Sequence, residues 1–89
     1  MEAKGKLKNG FEFTVDDKCC DDMEMVDALA EAQSTNPLAI SVVIHKLLGD
    51  EQKKVLYDLV RRPDGTVPIE EVTNSVVEIF EQMGNPGKN

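Results

Sequence analysis

The chain has 89 residues, a formal net charge of −7 and only four aromatic residues. This length makes one domain with a single modest core. An acidic chain is repelled by nucleic acid and by anionic membranes, and few rings are available to stack on bases, so we expect neither nucleic acid nor a membrane as a partner. The sequence shows neither a signal-peptide pattern nor a transmembrane run, which favours a cytoplasmic protein.

The negative charge is concentrated in residues 11–33, where carboxylates outnumber basic side chains eight to one. Three of them lie on one face of a predicted helix and are called here the acidic strip: Glu24, Asp27 and Glu31. One interpretation is a solvated helix face whose carboxylates suit the positive end of the helix dipole. The other is a contact surface for a basic protein.

Asn9 and Gly10 predict a β-hairpin over about residues 4–15, because a type I′ turn favours this pair. A two-residue turn would place Lys6 opposite Phe13 and let lysine stems cover the aromatic rings. An isolated hairpin is marginally stable in water, so this one is expected to pack against the helices or against another chain.

Apolar residues at helical spacing predict four helices, over about residues 17–33, 37–48, 50–61 and 68–83. The apolar residues expected to share one face of the first helix are Cys19, Met23, Val26, Leu29 and Ala30, and those expected to face inward from the third are Val55, Leu56, Leu59 and Val60. Asn36 and Pro37 are start signals for the second helix, and Gly49 is its stop signal. Residues 85–89 read as a flexible tail. The predicted fold is mainly α, a small four-helix domain with an N-terminal β-hairpin, and an α+β arrangement is the alternative.

The helix predicted over residues 37–48 is apolar around most of its circumference, so it must be covered from more than one direction. Its main apolar arc is expected to form the centre of the core. Leu38 and Val42 form a second, narrower strip on the same helix, called here the Leu38 strip. This strip either packs inside the domain or contacts a partner.

The side chains that carry catalytic and metal chemistry are few. Cys19 and Cys20 are adjacent, which suits free thiols better than a disulfide framework or a zinc site. His45 is the only histidine, and no nucleophile, base and orienting group can be assembled around it. No phosphate-binding glycine loop is present. We therefore predict a non-enzymatic protein without cofactors that acts by contact.

Several sequence features, in a fixed order, resemble the tail assembly chaperones of long-tailed phages and prophages of Gram-positive bacteria. They cover nearly the whole chain: K-N-G-F-E-F-T-V-D-D at 8–17, D-D-M-E-M-V-D-A-L-A-E-A at 21–32, N-P-L-A-I at 36–40, L-L-G-D-E-Q at 47–52, D-G-T-V-P-I-E-E-V at 64–72 and E-I-F-E at 78–81. The order and spacing of these pieces carry the resemblance. The adjacent cysteines at the start of the first helix depart from it.

The resemblance implies a chaperone that coats the tape measure protein in the host cytoplasm until tail tube subunits polymerise, and that is absent from the mature virion. In that family a programmed −1 frameshift yields a longer product, through which the tail tube protein becomes a second partner. Residues 87–89 can be encoded by codons that contain a slippery run. A homo-oligomer of the chaperone is also compatible with this interpretation.

The residues predicted to contact the partner are those that fall outside the main core arcs, namely Leu38, Val42, Met25 and Val77. Apolar strips of this kind suit a client with exposed apolar helix stripes. The alternative function is a small acidic regulatory adaptor, an anti-repressor or DNA mimic, that covers a basic protein surface with the acidic strip. The binding of such a regulator would weaken steeply with salt.

Overall fold

The computed structural model describes residues 2–83 of the chain. It contains, in order, β1 (Glu2–Lys6), β2 (Glu12–Asp16), α1 (Asp17–Cys20), α2 (Met23–Gln33), a 3₁₀ turn (Pro37–Ala39), α3 (Ile40–Val60) and α4 (Ile69–Gln82). The predicted class, a mainly helical domain with an N-terminal hairpin, is confirmed. The tail predicted for residues 85–89 lies outside the described residues.

The two strands pair antiparallel, with Gly5 opposite Phe13. The predicted register, with Lys6 in that place, is wrong by one residue because the loop contains three residues, 8–10, and not two. Gly10 has a φ of 96°, which only glycine adopts without strain. Lys4 and Lys6 consequently lie on the exposed face of the hairpin, away from the Phe13 ring.

Backbone and side-chain bonds close the loop and attach it to α4. The N–H of Leu7 donates to the carbonyl of Phe11 at 2.8 Å, and the N–H of Gly10 donates to the carbonyl of Leu7 at 2.9 Å. Asn9 Oδ1 accepts the N–H of Phe11 at 3.0 Å, and its Nδ2 donates to Ser75 Oγ at 3.2 Å. The hairpin therefore leans on the helices of its own chain.

The helix predicted over residues 17–33 is divided in two. Asp21, with a φ of −108° and a ψ of 49°, ends α1, and Asp22 is the N-cap of α2. The carboxylate of Asp22 accepts the N–H of Glu24 at 3.0 Å. An aspartate at this position satisfies a backbone donor that a continuous helix would satisfy itself, so the break is stabilised locally.

This break changes which face of α2 is buried. Met25 and Ala32 lie in the core, and Ala28 and Leu29 between them are partly buried. The face predicted from a continuous helix is wrong, since Met23 is exposed. The observed face follows the helical period within α2 alone, counted from its own N-cap.

The predicted boundary at Gly49 is observed as a kink inside α3. Gly49 has a φ of 74° and a ψ of 177°, outside the helical region, so α3 consists of a first segment, residues 40–48, and a second segment, residues 50–60. Ile40 and Tyr57, near opposite ends of α3, line the same cavity of about 160 Å³. A straight helix would hold these residues far apart, so the kink folds the two segments towards each other.

The helix predicted over residues 37–48 begins with the capping interactions that Asn36 and Pro37 predict. Asn36 Oδ1 accepts the N–H of Leu38 at 3.2 Å, and Pro37 occupies the first turn. The first turn is a 3₁₀ turn, and the α-helix proper begins at Ile40. The capping chemistry is therefore as predicted, while the helix begins later than position 37.

One core joins the hairpin to the helices. Its buried apolar residues are Leu7, Phe11, Phe13, Val15, Cys20, Met25, Ala32, Ala39, Ile40, Val43, Ile44, Leu47, Leu48, Leu56, Val72, Val76, Ile79 and Phe80. The first segment of α3 supplies five of them. Each buried side-chain nitrogen or oxygen in the described part of the chain has a hydrogen-bond partner. None of the helices described combines the length and the apolar character that crossing a membrane requires.

Candidate interaction surfaces

The Leu38 strip lies on the surface. Leu38, in the 3₁₀ turn, is 77% exposed, and Val42, in the first turn of α3, is 51% exposed. Between them in the sequence, Ala39 and Ile40 point into the core. The strip is thus an apolar edge of a helix whose other side is fully packed, as expected for residues outside the main core arc.

The other two residues predicted for the same surface are not exposed with it. Met25 is only 1% exposed, so its placement outside the core is wrong; the new helix start at Asp22 turns it inward. Val77 on α4 is partly buried beside the fully buried Val76. The candidate apolar surface therefore contains Leu38 and Val42, without a contribution from Met25.

The acidic strip is exposed along α2. Glu24, Asp27 and Glu31 all lie at the surface. Glu31 also holds the chain after the helix, because its carbonyl accepts three consecutive backbone N–H groups, those of residues 34–36, at 2.9 to 3.2 Å. Its carboxylate accepts Asn36 Nδ2 at 3.3 Å. The acidic strip consequently ends at the turn that leads into the Leu38 strip.

A second apolar surface was not predicted. Val55 and Leu59, assigned by periodicity to the core, are 59% and 47% exposed on the second segment of α3. The kink at Gly49 orients that segment so that Leu56 faces inward in their place. The spacing of Val55 and Leu59, one turn apart, was visible in the sequence, but their side of the helix depends on the kink.

Cys19 and Cys20 are both free. Burial raises the pKa of the Cys20 thiol from 9.0 to about 11, with smaller contributions from Cys19 and Asp17. Burial also raises the pKa of Cys19, whose Sγ lies 3.7 Å from the carbonyl oxygen of Lys46. A raised pKa keeps a thiol protonated and poorly nucleophilic at neutral pH, so these are poor candidates for a reactive cysteine.

The titratable groups do not converge elsewhere in the described chain. His45 lies at the surface, with Nδ1 at 3.6 Å from Asp50 Oδ1. Among residues 2–83, no three His, Cys, Asp or Glu side chains are grouped so that they could hold a metal ion. The features with a shape suited to recognition are therefore the two apolar surfaces and the acidic strip.

No family model, curated protein or solved structure matches this chain. Function is therefore inferred from the surfaces of the domain itself and from the ordered sequence features described above. The two apolar surfaces lie on either side of Gly49, one on the 3₁₀ turn and the first segment of α3 and the other on the second segment. They can consequently be altered independently by substitution.

Proposed function

We propose that this chain is a phage or prophage tail assembly chaperone that binds the tape measure protein and keeps it in solution during tail assembly. The observation that supports this most directly is the Leu38 strip, two large aliphatic side chains exposed one turn apart beside the acidic strip. The chaperone acts by contact, without catalysis, in the bacterial cytoplasm, and it is not retained in the mature virion. A longer frameshifted product would add contact with the tail tube protein.

A long helical client can be covered by many copies of a small domain. A long helical rod presents its apolar stripe repeatedly, and each domain covers only a short length of it, so many copies bind each client. Apolar contact removes the exposed stripe from water. The net charge of −7 keeps the coated complex from associating further.

The test is co-expression with the tape measure protein encoded by the same phage. The wild-type domain should keep that protein in the soluble fraction and co-purify with it in excess. Leu38→Asp combined with Val42→Asp should abolish co-purification while the isolated domain stays helical, because both side chains are exposed. Gln33→Asp combined with Asn74→Asp is the matched control, since it adds the same charge at two other exposed helical positions.

Loss of capture in both double variants would argue against the Leu38 strip, because added charge alone would then explain the result. Retention of capture in the Leu38→Asp/Val42→Asp variant would reject the strip as the client surface. A tape measure protein that stays insoluble with the wild-type domain would reject the proposed function itself.

The second candidate function is an acidic regulator, supported by the exposure of all three residues of the acidic strip along α2. Reversing the charge at Glu24, Asp27 and Glu31 separates the two functions. If the domain is a chaperone, this triple variant should still capture its client, and added salt should not release it. If it is a regulator of a basic protein, the variant should lose binding, and salt should dissociate the wild-type complex.

A further inference from the structure

Val55 and Leu59 border a surface groove, called here the Leu59 groove, whose apolar part lies beside these two side chains. Its first part, about 470 Å³, lies between these two side chains and the hairpin residues Gly10 and Phe11. A second part, about 420 Å³, continues from Leu59 to Pro68 at the start of α4. Leu59 lines both parts, so the two recesses adjoin at this side chain, one towards the hairpin and the other towards the start of α4.

The rim of the Leu59 groove is acidic. Glu12 borders the first part, and Glu70 and Glu71 border the second. Arg62 is the one basic side chain among the residues that line either part, and its Nη1 donates to Thr66 Oγ1 at 3.2 Å. The remaining acidic residue on the lining, Asp58, is neutralised by Arg61, with Nη2 at 2.9 Å from its Oδ1.

The spacing of Val55 and Leu59 suits a helical partner. Two exposed apolar side chains one turn apart form a ridge, and the recess beside them accepts side chains spaced three or four residues apart on a partner. Single exposed apolar residues are common on protein surfaces. An exposed apolar pair beside a recess that carries charged side chains is the pattern of an interaction site.

We propose that the Leu59 groove docks an amphipathic helix whose apolar stripe is flanked by lysine or arginine. The apolar stripe would cover Val55 and Leu59, and basic side chains beside the stripe would face Glu12 at the first part of the groove and Glu70 and Glu71 at the second. This assignment is independent of the proposed function, since it depends only on the shape and charge of the groove.

A second copy of the chain is a poor occupant of the Leu59 groove. The chain carries a net charge of −7, and self-docking through this surface would bring the rim carboxylates of both copies together. Juxtaposed like charges oppose association. The carboxylates of the same rim attract a basic helix, and at low salt this attraction also speeds its association.

Two synthetic helices test the proposal. Both have about 16 residues, just beyond the length at which isolated helices are marginal in water, and the same leucine stripe at spacings of three and four. One has lysine on both flanks of the stripe and the other has glutamate. Fluorescence polarisation should show the lysine helix binding the wild-type domain at least about tenfold more tightly than the glutamate helix, and added salt should reduce this difference.

Substitutions then locate the site. Leu59→Asp should weaken binding of the lysine helix by at least about tenfold, while Gln33→Asp, which adds the same charge at an exposed helical position outside both apolar surfaces, should leave it unchanged. Leu59→Ser serves as the milder variant, and circular dichroism checks that each variant is folded. Glu70→Gln with Glu71→Gln should bring the affinities for the two helices closer together, because it removes rim charge and keeps the side-chain size.

Equal binding of the two helices would overturn the proposal, as would undiminished binding to Leu59→Asp or Leu59→Ser. A wild-type dimer that dissociates in the Leu59→Asp variant would assign the groove to self-association and also overturn it. The co-expression assay separates this proposal from the proposed function. If the Leu59→Asp variant still captures the tape measure protein and the Leu38→Asp/Val42→Asp variant does not, the proposed function stands even when the Leu59 groove binds no helix. If the wild-type domain does not capture the tape measure protein, the binding of the synthetic helices still tests the Leu59 groove.

Discussion

Gln52 on α3 binds the backbone of Thr14 on β2 as a neighbouring strand residue would. Its side-chain Oε1 accepts the N–H of Thr14 at 2.7 Å, and its Nε2 donates to the carbonyl of Thr14 at 2.8 Å. The same Nε2 donates to the carbonyl of Leu48, next to the kink, at 3.0 Å. One amide therefore closes the outer edge of β2 and fixes the hairpin to the bend in α3.

Replacing this amide should loosen the attachment of the hairpin. We expect Gln52→Ala to lower the free energy of unfolding by about 1–3 kcal/mol, because it leaves both backbone groups of Thr14 without their protein partner in a part-buried site. Gln52→Glu should be at least as destabilising, since a carboxylate can accept the N–H but cannot donate to the carbonyl. Urea denaturation of the three proteins measures both effects.

Gln33, an exposed glutamine at the end of α2, provides the control. Gln33→Ala should change the stability by no more than about 0.5 kcal/mol. If Gln52→Ala changes the free energy of unfolding as little as Gln33→Ala does, the hydrogen bonds to Thr14 contribute nothing to stability. Faster hydrogen exchange at Thr14 in the Gln52→Ala variant would locate the effect at the edge of β2.

The register of the hairpin depends on a missing side chain at position 5. A Cβ atom there would lie 2.6 Å from Cζ of Phe13 and 2.6 Å from Oε1 of Gln82. The glutamine is exposed and can move, but the Phe13 ring is buried and cannot do so without disturbing the core. We therefore expect Gly5→Ala to destabilise the domain by about 1–3 kcal/mol, measured by thermal or urea denaturation.

Lys4→Ala is the matched control for this prediction, because its side chain lies on the exposed face of the same strand. It should be close to neutral. If Gly5→Ala is neutral too, the Phe13 ring does not lie over position 5 and the pairing of Gly5 with Phe13 is in error. A crystal structure or a set of cross-strand nuclear Overhauser contacts would then give the alternative register.

The 3₁₀ turn and the first segment of α3 together offer a direct comparison between buried and exposed apolar residues. Ile44→Ala and Leu47→Ala should each cost about 2–5 kcal/mol, because both side chains are buried. Leu38→Ala and Val42→Ala, in the same stretch of chain, should each change stability by about 0.5 kcal/mol or less. Thermal denaturation of the four variants tests whether the Leu38 strip is surface or core, and a large loss for Leu38 would place it in the core.

The sequence predicted the fold class and the capping chemistry because these depend on local signals. Asn36, Gly49 and the Asn9-Gly10 pair act through backbone geometry that their own side chains impose. The hairpin register was wrong because two-residue and three-residue loops both accommodate Asn-Gly. The observed register places Gly5 opposite Phe13, because the Phe13 ring leaves no room for a side chain such as that of Lys6.

The candidate surfaces were predicted only in part, for a related reason. Leu38 and Val42 could be assigned to the surface because the main arc of their own helix was strongly apolar. Met25 was misassigned because the break at Asp22 restarts the helical phase. The buried face of α2 includes alanines, whose small side chains give only a weak apolar pattern in the sequence. Val55 and Leu59 were assigned to the core because periodicity identifies an apolar stripe but does not say what covers it.

The last prediction concerns Cys20, whose burial raises its pKa from 9.0 to about 11. Because the folded-state pKa lies above the unfolded value, the neutral thiol stabilises the fold below pH 9, and this contribution is lost as the pH rises through about 11. In urea denaturation under reducing conditions, the stability difference between wild type and Cys20→Ala should therefore shrink between pH 8 and pH 11. Cys19→Ala should show a smaller change, since that thiol is only partly buried. Iodoacetamide at pH 8 should also label Cys19 before Cys20; equal labelling, or a difference that is constant with pH, would place Cys20 outside the core.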